Sequence, residues 1–130
     1  SQGETMTGAI RKILIIDDDQ FILDMYTLKL KELGFATETA RDGKEGLKKV
    51  TEFNPDIVLL DVVMPAMDGF DILREIKKTK AASPKVILLT NVGQKEDVER
   101  GTKLGADDYI IKANFTPSEV VEKVKNLISK

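Results

Sequence analysis

The chain contains no cysteine and no histidine. The first absence excludes disulfides, thiolate metal sites and cysteine nucleophiles. The second removes most zinc chemistry, Ser-His hydrolysis and any role as a histidine phosphodonor. Tryptophan is absent, and aromatics make up only 5% of the residues. No apolar run approaches the roughly 20 residues a membrane-spanning helix needs, and no secretory leader is visible. No glycine-rich phosphate loop exists, so the pattern gives no nucleotide site. Charge of one sign is also missing: 20 basic residues stand against 22 acidic ones, net -2. That balance argues against a general nucleic-acid or membrane binder.

What is present suits one domain. With 130 residues, 42% of them hydrophobic, the chain can build a single core. Ser1-Gln2-Gly3-Glu4-Thr5 is polar and precedes Met6. Residues 1–9 are expected to be a loose tail or an expression remnant, with Met6 as the native start. The folded unit is expected over 10–130.

Five short apolar runs punctuate that unit: Ile13 to Ile16, Phe35 to Ala40, Ile57 to Leu60, Val86 to Leu89, and Tyr109 to Ile111. Four are nearly continuous and rich in β-branched residues, as strands covered on both faces are. The second alternates, as an edge strand does. Between the runs lie helical stretches. Phe21 to Leu33 presents Phe21, Met25, Leu28 and Leu33 as its apolar face, with Gly34 as the stop. Asp42 to Phe53 opens with the Asp42/Glu45 capping-box spacing. Phe70 to Lys78 follows the Asp68-Gly69 turn. Gln94 to Leu104 starts beside Gly93 and carries Gly101 in its interior, which costs about 0.5–1 kcal/mol relative to Ala. This helix is expected to be the least stable. Thr116-Pro117-Ser118-Glu119 gives a cap, a proline at the first helical position and a box glutamate; the last helix then presents Val120, Val121, Val124, Leu127 and Ile128.

Strand–helix alternation repeated five times predicts an α/β fold: a doubly wound, flavodoxin-like sheet of five parallel strands, order 2-1-3-4-5, with helices on both faces. Ligands of such sheets sit beyond the carboxyl ends of the strands near the switch point. Here those ends carry Asp17-Asp18-Asp19, Asp61, Thr90 and Lys112. Converging carboxylates repel one another, and a hard divalent cation such as Mg²⁺ resolves the conflict. A carboxylate nucleophile, a metal, an ammonium and a hydroxyl make up a phosphoryl-transfer site.

Each residue also has a plainer reading. Asp17 to Asp19 can be a solvated loop, with Asp19 as a helix cap. Asp61 can be a turn residue before Pro65, Thr90 a strand end, Lys112 a surface lysine and Tyr109 a half-buried edge aromatic. Thr116 reads as a cap, and Met25, Met64 and Met67 as packing or loop residues.

The decisive feature is four motifs in order at four strand ends. Ile13-Leu14-Ile15-Ile16-Asp17-Asp18-Asp19, Asp56 through Asp61 to Met64-Pro65 and Asp68-Gly69, Leu89-Thr90, and Gly105 through Tyr109 to Lys112 together resemble the receiver domain of two-component response regulators. The resemblance runs from Ile10 to Lys130. It implies that Asp61 is the phosphoacceptor, and that Asp17, Asp18, Asp61 and the backbone carbonyl of Val63 hold Mg²⁺. It implies that Thr90 and Lys112 contact the phosphoryl oxygens, and that Tyr109 is a switch aromatic turning inward as Thr90 moves. Val63 and Val92 stand where the family tunes hydrolysis; both are apolar, so a slowly decaying phosphoryl group is expected.

The implied role is a switch that assists its own phosphorylation and dephosphorylation, not an enzyme acting on another substrate. Its donor is expected to be a histidine kinase or phosphotransfer protein. Its output is expected through a protein target or self-dimerisation, using the fourth helix, fifth strand and fifth helix, with no direct nucleic acid or membrane contact and a cytoplasmic location. With no output segment after Lys130 in this sequence, the signal is expected to leave by protein contact or dimerisation, unless the sequence is a piece of a longer regulator. The alternative is a pseudo-receiver, a binding module without the chemistry. An aspartate-nucleophile phosphatase fits poorly, because Val63 stands where such enzymes resemble one another in a second aspartate.

One departure from the family lies after Lys112. Lys-Pro with a cis bond is usual there; this chain has Lys112-Ala113-Asn114-Phe115. A trans Lys112-Ala113 bond is expected, with Asn114 left-handed, Lys112 aimed at Asp61 and Phe115 packed beneath the last helix.

Overall fold

The computed structural model describes residues 12–64, 68–78, 84–91 and 94–128. The tail expected over 1–9, together with Pro65, Met67, Val92 and Gly93, lies outside them.

The elements alternate as the apolar runs require. They are β1 (Lys12–Ile16), α1 (Gln20–Glu32), β2 (Ala36–Ala40), α2 (Gly43–Phe53), β3 (Ile57–Leu60), α3 (Gly69–Lys78), β4 (Lys85–Thr90), α4 (Lys95–Lys103), β5 (Asp108–Ile111) and α5 (Pro117–Ile128). A 3-10 turn over Lys112–Asn114 joins β5 to α5. The sheet order is β2-β1-β3-β4-β5, all pairs parallel. β2 is an edge strand, as its alternation implies, and the switch point falls between β1 and β3.

Strand residues of alternating parity feed two cores. Leu14, Ile16, Val58, Leu60, Val86 and Leu88 meet Val50 of α2 and Phe70, Ile72, Leu73 and Ile76 of α3. Ile13, Ile15, Ile57, Leu59, Ile87, Leu89 and Ile110 meet α1 and α5 through Leu23, Tyr26, Leu30, Val120, Val121 and Val124. Both faces are therefore covered, which is why the central strands read as unbroken apolar runs.

Capping fixes the helix starts. Asp19 Oδ1 accepts from the Phe21 and Ile22 amides. Asp42 accepts from the Glu45 amide, while Glu45 reaches back to the Arg41 amide. Thr116 and Glu119 exchange both bonds of a capping box. Each such cap contributes roughly 1 kcal/mol.

Two expectations need correction. The apolar face expected for α1 is not the buried one: Phe21 is 66% exposed and Leu28 58%, Leu33 also lies open, and Met25 is half-buried. The helix instead buries Leu23, Tyr26 and Leu30. Its sequence is apolar on two sides, and the sheet selects the stripe that reaches α5 and β2.

Asn114 is not left-handed. Among the described non-glycine residues only Asn54, the C-cap of α2, has positive φ, at 52°. The right-handed 3-10 turn, closed by the Phe115 amide on the Lys112 carbonyl at 3.1 Å, makes the reversal instead. No described peptide bond is cis, in keeping with a trans Lys112-Ala113 bond. Phe115 packs against the α1/α5 core as expected.

Gly101 is more than a weak point. It is buried, and a β-carbon there would lie 2.6 Å from Leu88 Cδ1 and 3.6 Å from the Tyr109 ring. The glycine lets α4 lie close on β4 and β5.

Candidate functional site

Register places the acidic residues side by side. Ile16 of β1 pairs with Leu60 of β3, so Asp17 and Asp61, the next residues, leave the sheet at the same level. The ladder continues one step beyond the strands. The Asp61 amide donates to the Ile16 carbonyl and the Asp17 amide to the Ala40 carbonyl, each at 3.0 Å. Asp17 is 1% exposed and Asp61 6%.

Two local bonds orient the carboxylates. Asp17 Oδ1 accepts from the Asp19 amide at 3.0 Å, and Asp61 Oδ1 accepts from the Val63 amide at 2.9 Å. Their second oxygens face Lys112, whose Nζ lies 2.6 Å from Asp17 Oδ2 and 3.3 Å from Asp61 Oδ2. Asp18 completes the cluster: Asp17, Asp18 and Asp61 each offer an oxygen within 4.8 Å of the others. Arg41 reaches this loop from the start of α2, donating from Nη2 to the Asp18 carbonyl at 3.4 Å.

Burial pushes the Asp17 carboxyl up, and the Lys112 hydrogen bond, Asp19 amide and Lys112 charge only partly oppose this. Burial also works to lower Lys112, but its bonds and proximity to Asp17 and Asp61 outweigh it and hold the ammonium above its ordinary value. The two directions assign the pair opposite balances. Both follow from the charge count, since one ammonium faces two buried carboxylates and a third beside them. The ammonium is firmly held, and the acids remain under-neutralised.

That imbalance fits a hard divalent cation. Three carboxylate oxygens, open on the Asp18 side, suit Mg²⁺, which keeps several waters and takes few protein oxygens.

Thr90 ends β4 fully buried, in register with Ile111, immediately before Lys112. Tyr109 is half-buried against the α3-side core. Burial, then the charges of Asp97 and Asp61, push its hydroxyl up to about 12. One edge of its ring lies 3.6 Å from the space a Gly101 β-carbon would fill. The Val63 side chain is exposed at the rim, and Met64 is core, as a packing residue should be.

Sequence reasoning missed two things. Gly69 is wedged against the loop that leaves β3: a β-carbon there would overlap Val62 Cα and lie 2.6 Å from the Asp61 carbonyl. Arg100 of α4 stacks its guanidinium 4.3 Å above the Phe70 ring. The Asp68-Gly69 pair signalled the first; no local pattern signals the second.

A doubly wound parallel sheet with an acidic cluster at its switch point defines a flavodoxin-like α/β module. Residues 13–125 match the family model described as the response regulator receiver domain. The chain belongs to that family, the receiver domains of two-component response regulators. It is 36% identical over 118 residues to the alkaline phosphatase synthesis transcriptional regulatory protein PhoP of Bacillus subtilis, covering 91% of this chain and 48% of that protein. It is 38% identical over 117 residues to the transcriptional regulatory protein ResD of the same organism, covering 90% and 48%. The chain thus spans about half the length of the curated relatives it matches. A CheY-like receiver domain protein from Methanospirillum hungatei superposes with a TM-score of 0.83 at 31% identity, covering 93% of this chain and 95% of that one. The BeF3-activated receiver domain of DrrB gives 0.79 at 36% identity, covering 93% and 99%. No helix among the described residues is long and apolar enough to cross a membrane.

Proposed function

We propose that this receiver is a phosphorylation-activated switch whose acceptor is Asp61. The observation that carries the reading is the bridge from Lys112 to both Asp17 and Asp61 at the carboxyl edge of the sheet. A buried carboxylate oriented by the Val63 amide, with an ammonium beside it, is placed to attack phosphorus. A phosphoryl group bound to a partner's histidine nitrogen would move to an Asp61 oxygen, breaking P–N and forming P–O. Asp17, Asp18 and Asp61, with the Val63 carbonyl, would hold Mg²⁺. That ion supplies positive charge to the phosphoryl oxygens. Lys112 neutralises what remains, and buried Thr90 stands on the neighbouring strand end to meet a phosphoryl oxygen. Tyr109 then follows Thr90 as the switch aromatic.

In this reading the donor is a histidine kinase or phosphotransfer protein, since this chain has no histidine of its own. The phosphoryl group ends on the protein, so the domain is a phosphoacceptor and not an enzyme with an external product. One receiver unit over 10–130 works in the cytoplasm and signals through α4, β5 and α5 to a protein target or a second copy. The pseudo-receiver alternative gains no support from a site in which the acidic residues and Lys112 come together.

Mass spectrometry after acetyl phosphate and Mg²⁺ tests this. One phosphoryl adduct on Asp61, absent in Asp61→Asn and absent with chelator, is expected. An adduct retained by Asp61→Asn overturns the assignment.

A further inference from the structure

We propose that Arg100 is a clamp that ties α4 to the acceptor loop in the resting protein. The inference rests on Asp61 as acceptor but concerns a different device. α4 has little core of its own: among its residues only Gly101 is buried. Its neighbour Arg100 adds a hold on α3. The guanidinium lies 4.3 Å from the Phe70 ring centroid and 3.8 Å from Asp68 Oδ2.

Both partners belong to the start of α3. Asp68 Oδ1 accepts from the Phe70 amide at 2.8 Å, so one carboxylate caps α3 and faces α4 at once. Phe70 is 5% exposed, and its Cε1 lies 3.7 Å from the space a Gly101 β-carbon would fill. Gly69, between them, sits against the Asp61 carbonyl and the Val62 backbone. The Gly69 amide also donates to the Val62 carbonyl at 3.1 Å. A packed route therefore runs from the Asp61 main chain through Gly69 to Asp68 and Phe70, then through Arg100 into α4. It bypasses Thr90 and Tyr109. A groove lined by Val62, Met64, Phe70 and Arg100 opens alongside.

Such a contact matters to switching if it is made in one state more than the other. The clamp is assigned to the resting state, since a shift of the Asp61–Val62 main chain on activation presses on Gly69 and so displaces the Asp68 and Phe70 that hold Arg100.

The test uses the whole chain with Mg²⁺ and beryllofluoride as the phosphoryl mimic. Wild type, Arg100→Ala, Arg100→Lys and Phe70→Leu are compared by beryllofluoride titration and amide exchange. In Arg100→Ala, α4 should exchange faster before activation while α1 does not. Beryllofluoride should bind about threefold more tightly, the scale of one exposed cation–π contact. Phe70→Leu keeps an apolar group without the ring face and should move both readouts the same way. Arg100→Lys keeps the charge without the planar stack and should fall between. Unchanged α4 exchange, or beryllofluoride binding equal to or weaker than wild type, overturns the clamp. If wild type itself ignores beryllofluoride, the Asp61 reading fails, and the exchange data still decide whether Arg100 holds α4.

Discussion

Lys112 and Asp17, 95 positions apart in the chain, meet at 2.6 Å, closer than Lys112 comes to Asp61. The ammonium is therefore anchored chiefly by Asp17, and the Asp61 carboxylate is the looser partner.

Removing that anchor leaves two buried carboxylates without their cation. Breaking a buried ion pair from one side costs about 3–5 kcal/mol, and the 13% exposure of the Lys112 side chain puts the loss at the low end. Urea unfolding of Lys112→Ala should show this. Saturating Mg²⁺ should restore part of the loss, by about 2.7 kcal/mol at a hundred times Kd if affinity is retained. A variant as stable as wild type in chelator would contradict the pairing.

The pH dependence has a defined sign for each partner. Asp17 has its folded value above 3.8. The native state thus holds its proton longer than the unfolded one, and this group's contribution falls as pH rises from about 4 through its folded value. Lys112 is raised above 10.5, so its contribution is full below that pH and is lost above it, as pH passes the folded value. Asp17→Asn should flatten the acid-side slope in chelator. It should also abolish the rise in Tm that Mg²⁺ gives wild type. Thermal scans at pH 4, 7 and 11 check both; an unchanged Mg²⁺ response in Asp17→Asn would remove Asp17 from the metal set.

Gly101 sets helix propensity against packing. Alanine there gains about 0.5–1 kcal/mol of helix stability but drives a methyl toward buried Leu88, where overpacking costs about 1–3 kcal/mol. Gly101→Ala should be net destabilising by about 1 kcal/mol. Leu88→Val in the same chain should reduce that penalty. A stabilised single variant would show that α4 has room to lift.

Val63 stands exposed at the rim with its amide on Asp61. An isopropyl group cannot orient a water, so the phosphoryl group should persist. Val63→Asn should shorten its lifetime several-fold, measured by loss of the adduct after the donor is removed. Equal lifetimes would assign the rate to other residues.

The strands, their order and the gathering of Asp17, Asp18, Asp61 and Lys112 at one edge were legible because each leaves a direct trace: unbroken apolar runs for doubly covered strands, and a polar residue at each central strand end. Caps were equally plain at Asp19, Asp42 and Thr116. The buried face of α1 was not. Phe21, Met25 and Leu28 form as regular a stripe as Leu23, Tyr26 and Leu30, and only the sheet decides between them. The turn after Lys112 was half legible. Its length announced a departure, but a 3-10 turn and a left-handed asparagine both reverse the chain, and spacing does not distinguish them. Arg100 over Phe70 joins two helices whose approach depends on Gly101, so no local pattern foretells it.

The contact at Gly69 bears on how this chain can be recombined with its relatives. Any side chain at that position must displace the main chain of Asp61 and Val62, so Gly69 and those two residues are matched to each other. Chimeras that cross over between Val62 and Gly69 take Asp61 from one parent and its backstop from another. Those that cross over in α2 or at the end of α3 carry the two together, and these are the junctions at which hybrid receivers will keep the contact that backs Asp61.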